Sequence, residues 1–141
     1  MKQNQIDLEI VIPTQTRYLG MIGNIAEQLA RGLPDYSGDR DTLAYNLNLV
    51  LTEALANAIE HGDPQNEQQT VRVCIRLYGK SLSIEVHDQG RGFNLATVTC
   101  SEPDSLCERG RGIFLIRAFM DTVDYHPTDT GNVLEMHKQL S

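Results

Sequence analysis

The sequence predicts an α+β fold, a two-layer sandwich in which helices cover one face of a mixed, mainly antiparallel sheet. Most strand patterns come in adjacent pairs joined by short turns, as in antiparallel hairpins. The order of elements is strand, two helices, hairpin, helix and hairpin, which allows the helices to lie together on one side. A doubly wound dinucleotide-binding fold is disfavoured, because its strands and helices would alternate regularly.

The first elements follow from the spacing of apolar residues. Apolar residues at every second position from Ile6 to Ile12 predict a strand, and Pro13 ends it. From about Tyr18 to Arg31 they recur at intervals of three and four, which predicts a one-sided helix. A longer helix is predicted from about Arg40 to His61, with a core stripe of Leu43, Leu47, Val50, Leu51, Ala54, Leu55 and Ala58.

The second half of the chain predicts two hairpins with a helix between them. The four strands are expected at about 71–77, 82–86, 122–126 and 132–140. Gly79-Lys80 forms the turn of the first hairpin. Residues 90–112 are loop-rich, with one short helix expected near Leu95. The apolar run from Ile113 to Met120 predicts a helix that is buried on most sides.

Length and charge limit the classes of protein to consider. A chain of 141 residues predicts a single domain over 1–141. A formal charge of -7 argues against a protein that coats nucleic acid or an anionic membrane. No apolar run is long enough to span a bilayer. The first residues lack the apolar core and cleavage site of a signal peptide, so they are interpreted as a native amino terminus.

The cysteines and histidines do not form a sequence motif. The three cysteines contain no CxxC pair and cannot all form disulfides, which favours a reducing compartment and predicts a cytoplasmic protein. The four histidines show neither an HExxH pattern nor a Cys/His cluster. A structural zinc site is therefore not indicated by the sequence.

A polar stripe runs along the second predicted helix. Asn46, Glu53, Asn57 and Glu60 fall at spacings of seven, four and three, which places them on one side. A solvated helix face is one interpretation. The small and apolar surroundings in LTEALANAI favour another, in which the stripe lines a cleft. An amide and a carboxylate there would suit a magnesium-bound phosphate, because Mg²⁺ prefers oxygen ligands and keeps several waters.

Asp88 ends the second strand of the first hairpin on the core-facing side. An inward carboxylate is costly unless it is hydrogen-bonded. It could open a turn, because D-x-G is common in turns. It could instead be a buried acceptor for an exocyclic amine, with Gly90 and Gly92 letting the backbone approach a flat ligand.

A second pair of glycines, Gly110 and Gly112, stands directly before the apolar helix. This pattern fits an ordinary loop that leads into a helix. It also fits an anion site, because free N–H groups and the helix dipole point the same way at a helix amino terminus. Arg109 and Arg111 add positive charge in an acidic chain, and either could reach a phosphate.

In this order the three segments resemble the N, G1 and G2 boxes of the GHKL ATPase superfamily. The boxes are EALAN from Glu53 to Asn57, DQGRG from Asp88 to Gly92, and GRG from Gly110 to Gly112. Their flanking residues, LTEALANAIEHG, VHDQGRGF and GRGIFLIRAFMDTVDY, are most similar to the anti-sigma-factor serine kinases of the RsbW type. The resemblance covers roughly residues 5 to 140.

The resemblance implies a Bergerat-type fold in which ATP lies between helices and sheet. Glu53 would be the general base, Asn57 the Mg²⁺ ligand and Asp88 the acceptor for the adenine amine. Gly90 and Gly92 would make room for the base and sugar, and Gly110, Gly112 and nearby backbone would meet the phosphates. The segment from about Asn94 to Glu108 would form a lid. The last hairpin departs from the family, because GNVL at 131–134 replaces a threonine-rich turn.

Three functions fit the three boxes to different degrees. The resemblance implies a protein kinase that phosphorylates a serine of a small antagonist protein and also sequesters a sigma factor. The sequence does not fix the oligomeric state, although proteins of this type are commonly homodimers. A module that binds its partner when ATP is bound, without phosphoryl transfer, is the alternative. Retention of both Glu53 and Asn57 favours the kinase. The catalytic domain of a histidine kinase fits less well, because no upstream helical hairpin with a phosphoacceptor histidine is present.

Overall fold

The structure, a computed structural model, describes residues 5–34, 36–62, 66, 68–90 and 108–140. The strands are β1 (Gln5–Pro13), β2 (Thr70–Tyr78), β3 (Ser81–Asp88), β4 (Thr122–Pro127) and β5 (Asn132–Gln139). The helices are α1 (Leu19–Arg31), which follows a 3₁₀ turn at Thr16–Tyr18, α2 (Arg40–Glu60) and α3 (Glu108–Phe119). The α+β fold is confirmed, and each predicted strand lies within about two residues of its observed position.

The sheet has the strand order β1-β2-β3-β5-β4, and all four of its pairings are antiparallel. The expectation of a mixed sheet is therefore wrong for the part of the chain that the structure describes. The reason is that β3 and β4, the two strands that α3 connects, are not neighbours in the sheet. Strands β3 and β4 run in the same direction, but β5 lies between them and pairs with both in the opposite direction.

A single hydrophobic core lies between the sheet and the helices. The even-numbered residues of β1 and β3 and the odd-numbered residues from Val71 to Leu77 of β2 point into it. The predicted core stripe of α2 is confirmed, because each of its seven side chains is at most 5% exposed. Each buried leucine of this stripe contributes about 1.5–3 kcal/mol relative to an exposed one. Asp39 caps the helix by accepting from the N–H groups of Asp41 and Thr42 at 3.0 and 3.4 Å.

Helix α3 differs from its prediction in start and burial. It begins at Glu108 rather than Ile113, so the second glycine pair lies inside its first turns and not in a preceding loop. Arg117 and Ala118 are exposed, so the helix is buried on one side and not on most sides. Gly92, the predicted helix near Leu95 and nearly all of the predicted lid fall outside the described residues. No described helix has the length and apolar character needed to cross a membrane.

Candidate functional site

Two residues of the polar stripe lie against the second glycine pair. Glu53 and Asn57 are one turn apart on α2, and Gly112 of α3 packs directly on them. A Cβ placed on Gly112 would lie 2.6 Å from Glu53 Oε2 and 3.6 Å from Asn57 Nδ2. Glu53 is half-buried and Asn57 is buried. The solvated-face interpretation of the stripe is therefore wrong for these two residues.

The amide of Asn57 is 9% exposed, and its Nδ2 atom has no hydrogen-bond partner among the described residues. A buried polar atom without a partner costs about 1–3 kcal/mol. Because a 180° flip of an asparagine amide exchanges its oxygen and nitrogen, the same position can present an acceptor oxygen. After such a flip, Asn57 presents an amide oxygen beside the Glu53 carboxylate, which fits a hydrated Mg²⁺ ion.

Glu53 has the electrostatics of a proton acceptor. Burial raises the pKa of its carboxyl group, because the charged form loses hydration where α2 packs against α3. A carboxylate with a raised pKa holds an abstracted proton more strongly than an ordinary glutamate does. The neighbouring glycine leaves the carboxylate room to move.

Asp88 lies at the end of β3 and is 5% exposed. Its Oδ1 accepts from the Gly90 N–H at 2.9 Å and from Asn132 Nδ2 at 3.2 Å. Nothing in the described part of the chain donates to Oδ2. The two sequence interpretations of Asp88 therefore do not exclude each other. Oδ1 closes a turn to Gly90, while Oδ2 is left to accept from a ligand.

The sequence does not single out Asn132, because GNVL at 131–134 shows only the absence of a threonine-rich turn. Asn132 begins β5 directly opposite Asp88 and is 6% exposed. Besides its bond to Asp88, its Nδ2 donates to the carbonyl of Gly90 at 3.0 Å. Asn132 thus ties the last hairpin to the first glycine pair. A polar residue at the predicted start of a strand was the only available signal.

Two glycines allow close approaches of backbone around Asp88. A Cβ on Gly90 would lie 2.1 Å from the carbonyl oxygen of His61, where α2 ends. A Cβ on Gly131 would lie 1.8 Å from the carbonyl oxygen of Asp88. No side chain fits at either position, because both obstacles are backbone atoms. Gly90 therefore has a packing role that the sequence analysis did not foresee.

The three sequence segments meet along one face of α2. Glu53, Asn57 and His61 follow at intervals of four residues. Gly112 covers the first two, and Gly90 contacts the third. Gly110 lies in the first turn of α3, where backbone N–H groups lack partners within the helix. The backbone of Arg109 and Arg111 lies in the same turns, and their side chains lie outside what the structure describes.

These residues fit a magnesium nucleotide on chemical grounds. Asp88 offers a buried acceptor at one end and Asn57 an amide atom at the other. The amino terminus of α3 lies beside Asn57, where its dipole favours negative charge.

Comparison with known proteins identifies a family for this chain. The profile of the family described as "Histidine kinase-like ATPase domain" matches residues 12–138. A protein of Oceanobacillus iheyensis named serine-protein kinase RsbW is 27% identical over 95% of this chain and 87% of its own length. The protein of the same name from Bacillus subtilis strain 168 is 28% identical over 100% of this chain and 90% of its own.

Solved structures show the same fold. The histidine kinase domain of the blue-light activated histidine kinase EL346 from Erythrobacter litoralis superposes with a TM-score of 0.53 at 21% identity. The match covers 92% of this chain and 62% of that one. A structure of the blue-light activated kinase gives a TM-score of 0.54, with 42% of its chain covered. Because the family profile matches nearly the whole chain, the protein belongs to the histidine kinase-like ATPase domain family.

Proposed function

We propose that this protein is a serine-protein kinase that binds Mg-ATP and phosphorylates a small antagonist protein. The observation that carries the proposal is that Glu53 and Asn57 of α2, with His61 directly after the helix, lie against the two glycine segments. It puts a carboxylate of raised pKa next to an unpartnered amide and a helix amino terminus. Relatives similar over nearly the whole chain bear the name serine-protein kinase RsbW.

Adenine is the base that suits the Asp88 end. The exocyclic amine of adenine is a donor, and Asp88 Oδ2 is a buried acceptor. Oδ1 is occupied by two donors, so the carboxylate is fixed in orientation before any ligand arrives. Guanine presents a carbonyl oxygen at the same position of its ring, which would face the carboxylate without a proton between them. The site therefore favours ATP over GTP.

The phosphates belong at the other end, beside α3. Gly110 and the first turn of the helix supply backbone N–H groups, and Arg109 and Arg111 supply positive charge. Asn57 would hold Mg²⁺, which neutralises charge on the phosphate oxygens when it is bound. Gly92 would make room for the nucleotide, as its place in the second box implies.

Glu53 is the residue proposed to handle the proton. The hydroxyl oxygen of the substrate serine forms a bond to the γ-phosphorus, and the bond from that phosphorus to the ADP oxygen breaks. The hydroxyl proton passes to the Glu53 carboxylate. Its raised pKa makes this transfer more favourable than it would be for an exposed glutamate.

The partners are proposed by analogy with the relatives. The protein substrate would be a small antagonist that carries a serine, and a sigma factor would be the protein released or sequestered in response. A cytoplasmic location fits these partners and the buried free thiol of Cys74. A homodimer remains a prediction, which sedimentation of the purified protein would test.

The test is transfer of labelled γ-phosphate from Mg-ATP to small candidate antagonists from the same genome, alongside nucleotide titrations. We expect Glu53→Gln to leave Mg-ATP affinity nearly unchanged and to slow transfer by about 10²–10⁴-fold, the usual contribution of a general base. Asn57→Ala should weaken Mg-ATP binding itself. A wild-type protein that binds Mg-ATP and labels no antagonist would support the partner-binding module instead.

A further inference from the structure

A cluster of potential metal ligands lies on the face of the sheet that points away from the helices. Cys74 of β2 alternates with the core residues Val73 and Ile75, so it points outward. Glu85 and His87 of β3 point outward for the same reason. The Sγ atom, a carboxylate oxygen and a ring nitrogen of these three residues all lie within 4.8 Å of one another. The cluster is on the opposite side of β3 from Asp88.

The strand register fixes this arrangement. Cys74 is paired directly with Glu85, and His87 follows two residues later on the same face of β3. His87 Nε2 is already 2.8 Å from Glu85 Oε1. Ligands of a tetrahedral zinc ion stand about 3.3–3.7 Å apart, given metal–ligand bonds of about 2.0–2.3 Å. Small side-chain rotations would therefore bring the three atoms to that spacing without movement of the strands.

The surrounding charges are compatible with a divalent cation. Burial raises the pKa of the Cys74 thiol, so the ion must displace the thiol proton on binding. The resulting thiolate and the Glu85 carboxylate then contribute two negative charges, which balance the ion. The two nearest guanidinium groups are each paired with carboxylates: Arg72 with Glu9 at 3.4 Å, and Arg76 with Asp7 at 3.5 Å. Arg76 also contacts Glu85 Oε2 at 3.3 Å, so the oxygen that faces His87 is Oε1. Such support of a ligating carboxylate by a second group is typical of protein metal sites.

We propose that Cys74, Glu85 and His87 form a binding site for Zn²⁺ on the outer face of the sheet. One sulfur, one nitrogen and one oxygen ligand match the preferences of zinc, with the fourth position left to water. Glu85 and His87 are 23% exposed as side chains and Cys74 is 2% exposed, so an ion from solvent reaches the imidazole and the carboxylate first. Sequence spacing did not reveal the site, because its ligands come from two strands and fit no Cys/His motif.

The same face provides a matched control. His126 Nε2 lies 3.0 Å from Glu135 Oε1, a histidine–carboxylate contact like that of His87 and Glu85. In the described part of the chain, no third ligand joins that pair. His126→Gln therefore removes an imidazole from this face and keeps a donor for Glu135, which is paired with Glu85 across β3 and β5.

The experiment is a Co²⁺ titration of the untagged full chain carrying Cys100→Ser and Cys107→Ser, which leaves Cys74 as the single thiol. We expect one equivalent to bind with a thiolate charge-transfer band in the near ultraviolet, and Zn²⁺ to displace it. Cys74→Ser should remove the band and weaken Zn²⁺ binding by roughly 100-fold, because a hydroxyl replaces a soft thiolate ligand. His87→Gln should weaken binding at least about tenfold, and His126→Gln should leave it unchanged.

Any of three results would overturn the proposal: no stoichiometric binding, binding that survives Cys74→Ser, or equal losses from His87→Gln and His126→Gln. The melting temperature of each variant with Mg-ATP present shows whether it is folded. Zn²⁺ binding and nucleotide binding are scored separately, so loss of one does not imply loss of the other.

Discussion

Asn132 Nδ2 lies 3.2 Å from Asp88 Oδ1, and the two buried residues face each other across the β3–β5 pair. They are 44 positions apart in the sequence. The same nitrogen atom also donates to the Gly90 carbonyl at 3.0 Å. One amide therefore fixes both the carboxylate proposed to contact adenine and the backbone of the loop that follows it.

We expect Asn132→Ala to weaken ATP binding by about tenfold, because a hydrogen bond to a charged group contributes about 1.5–3 kcal/mol, part of which is regained by water. The melting temperature should also fall. Nucleotide titration by calorimetry would measure the first effect and thermal unfolding the second. Gln139→Ala, at the exposed other end of β5, is the matched control and should bind ATP normally. Unchanged ATP affinity in Asn132→Ala would mean that Asp88 needs no support from β5.

Asp88→Asn should keep the fold and abolish most of the stabilisation by Mg-ATP. The Gly90 N–H and Asn132 Nδ2 both require an acceptor at the Oδ1 position. The new amide will therefore place its oxygen there and its NH₂ group where Oδ2 stood. That group is a donor and would face the donor amine of adenine. The readout is the rise in melting temperature on adding Mg-ATP, with Mg-GTP for comparison. Equal stabilisation of the wild type by GTP would refute the role of Asp88.

The pH dependence of stability should report the burial of Glu53. The folded-state pKa of Glu53 is raised, so its protonated form favours the folded state and its ionisation disfavours it. The stability that the protonated form contributes is lost as the pH rises through the folded-state pKa. Glu53→Gln has no ionisable group at this position, so it avoids the free-energy cost of burying a negative charge. Without nucleotide, the variant should be more stable than the wild type at neutral pH, and the difference should vanish in acid. Urea unfolding at several pH values measures this. A difference that is independent of pH would show that desolvation of the carboxylate is not its cause.

The rate of phosphoryl transfer should show the same pKa. If Glu53 accepts the proton, transfer falls as the carboxylate becomes protonated. The acid limb of the profile should then lie above about 4.3, the value of an unperturbed glutamate. Measurements of kcat/KM across pH test this, with a substrate titration at each pH to separate binding from chemistry. An acid limb at an ordinary glutamate pKa would contradict the assigned environment.

The strands and the core stripe of α2 could be predicted because their signals are local. Alternation from Ile6 to Ile12 fixes both the strand and its inward face. The start of α3 could not be predicted, because the glycines of ERGRG are typical of a loop. In the structure Gly112 packs on Glu53 and Asn57, a contact with another helix that local propensity does not contain.

The site residues also divide into those with a local sequence signal and those that depend on the tertiary fold. Glu53, Asn57 and Asp88 stand within recognisable segments, so sequence was sufficient to select them as candidates. Asn132 and the Cys74 cluster depend on which strand neighbours which. The order that places β5 between β3 and β4 is a tertiary result, and no spacing within the chain encodes it.

Gly112→Ala should separate stability from activity. Alanine favours a helix over glycine by about 0.5–1 kcal/mol, and Gly112 has no positive φ that would oppose the change. The new methyl group would lie 2.6 Å from Glu53 Oε2, which is the free end of a flexible side chain. The carboxylate can therefore move aside at little energetic cost, and the fold should survive. The displaced base should slow phosphoryl transfer by about 10²-fold, a usual penalty for a misplacement of about 1 Å.

The matched control for Gly112→Ala is Gly20→Ala in α1, where a Cβ would meet no atom within 4 Å. Both variants gain helix propensity, and only Gly112→Ala introduces a methyl group beside Glu53. We expect both melting temperatures to equal or exceed that of the wild type, with transfer reduced in Gly112→Ala alone. Combining Gly112→Ala with Glu53→Gln should slow transfer little further than Glu53→Gln does, because both changes act on one carboxylate. Fully additive losses would mean that Gly112 acts on the phosphates and not through Glu53.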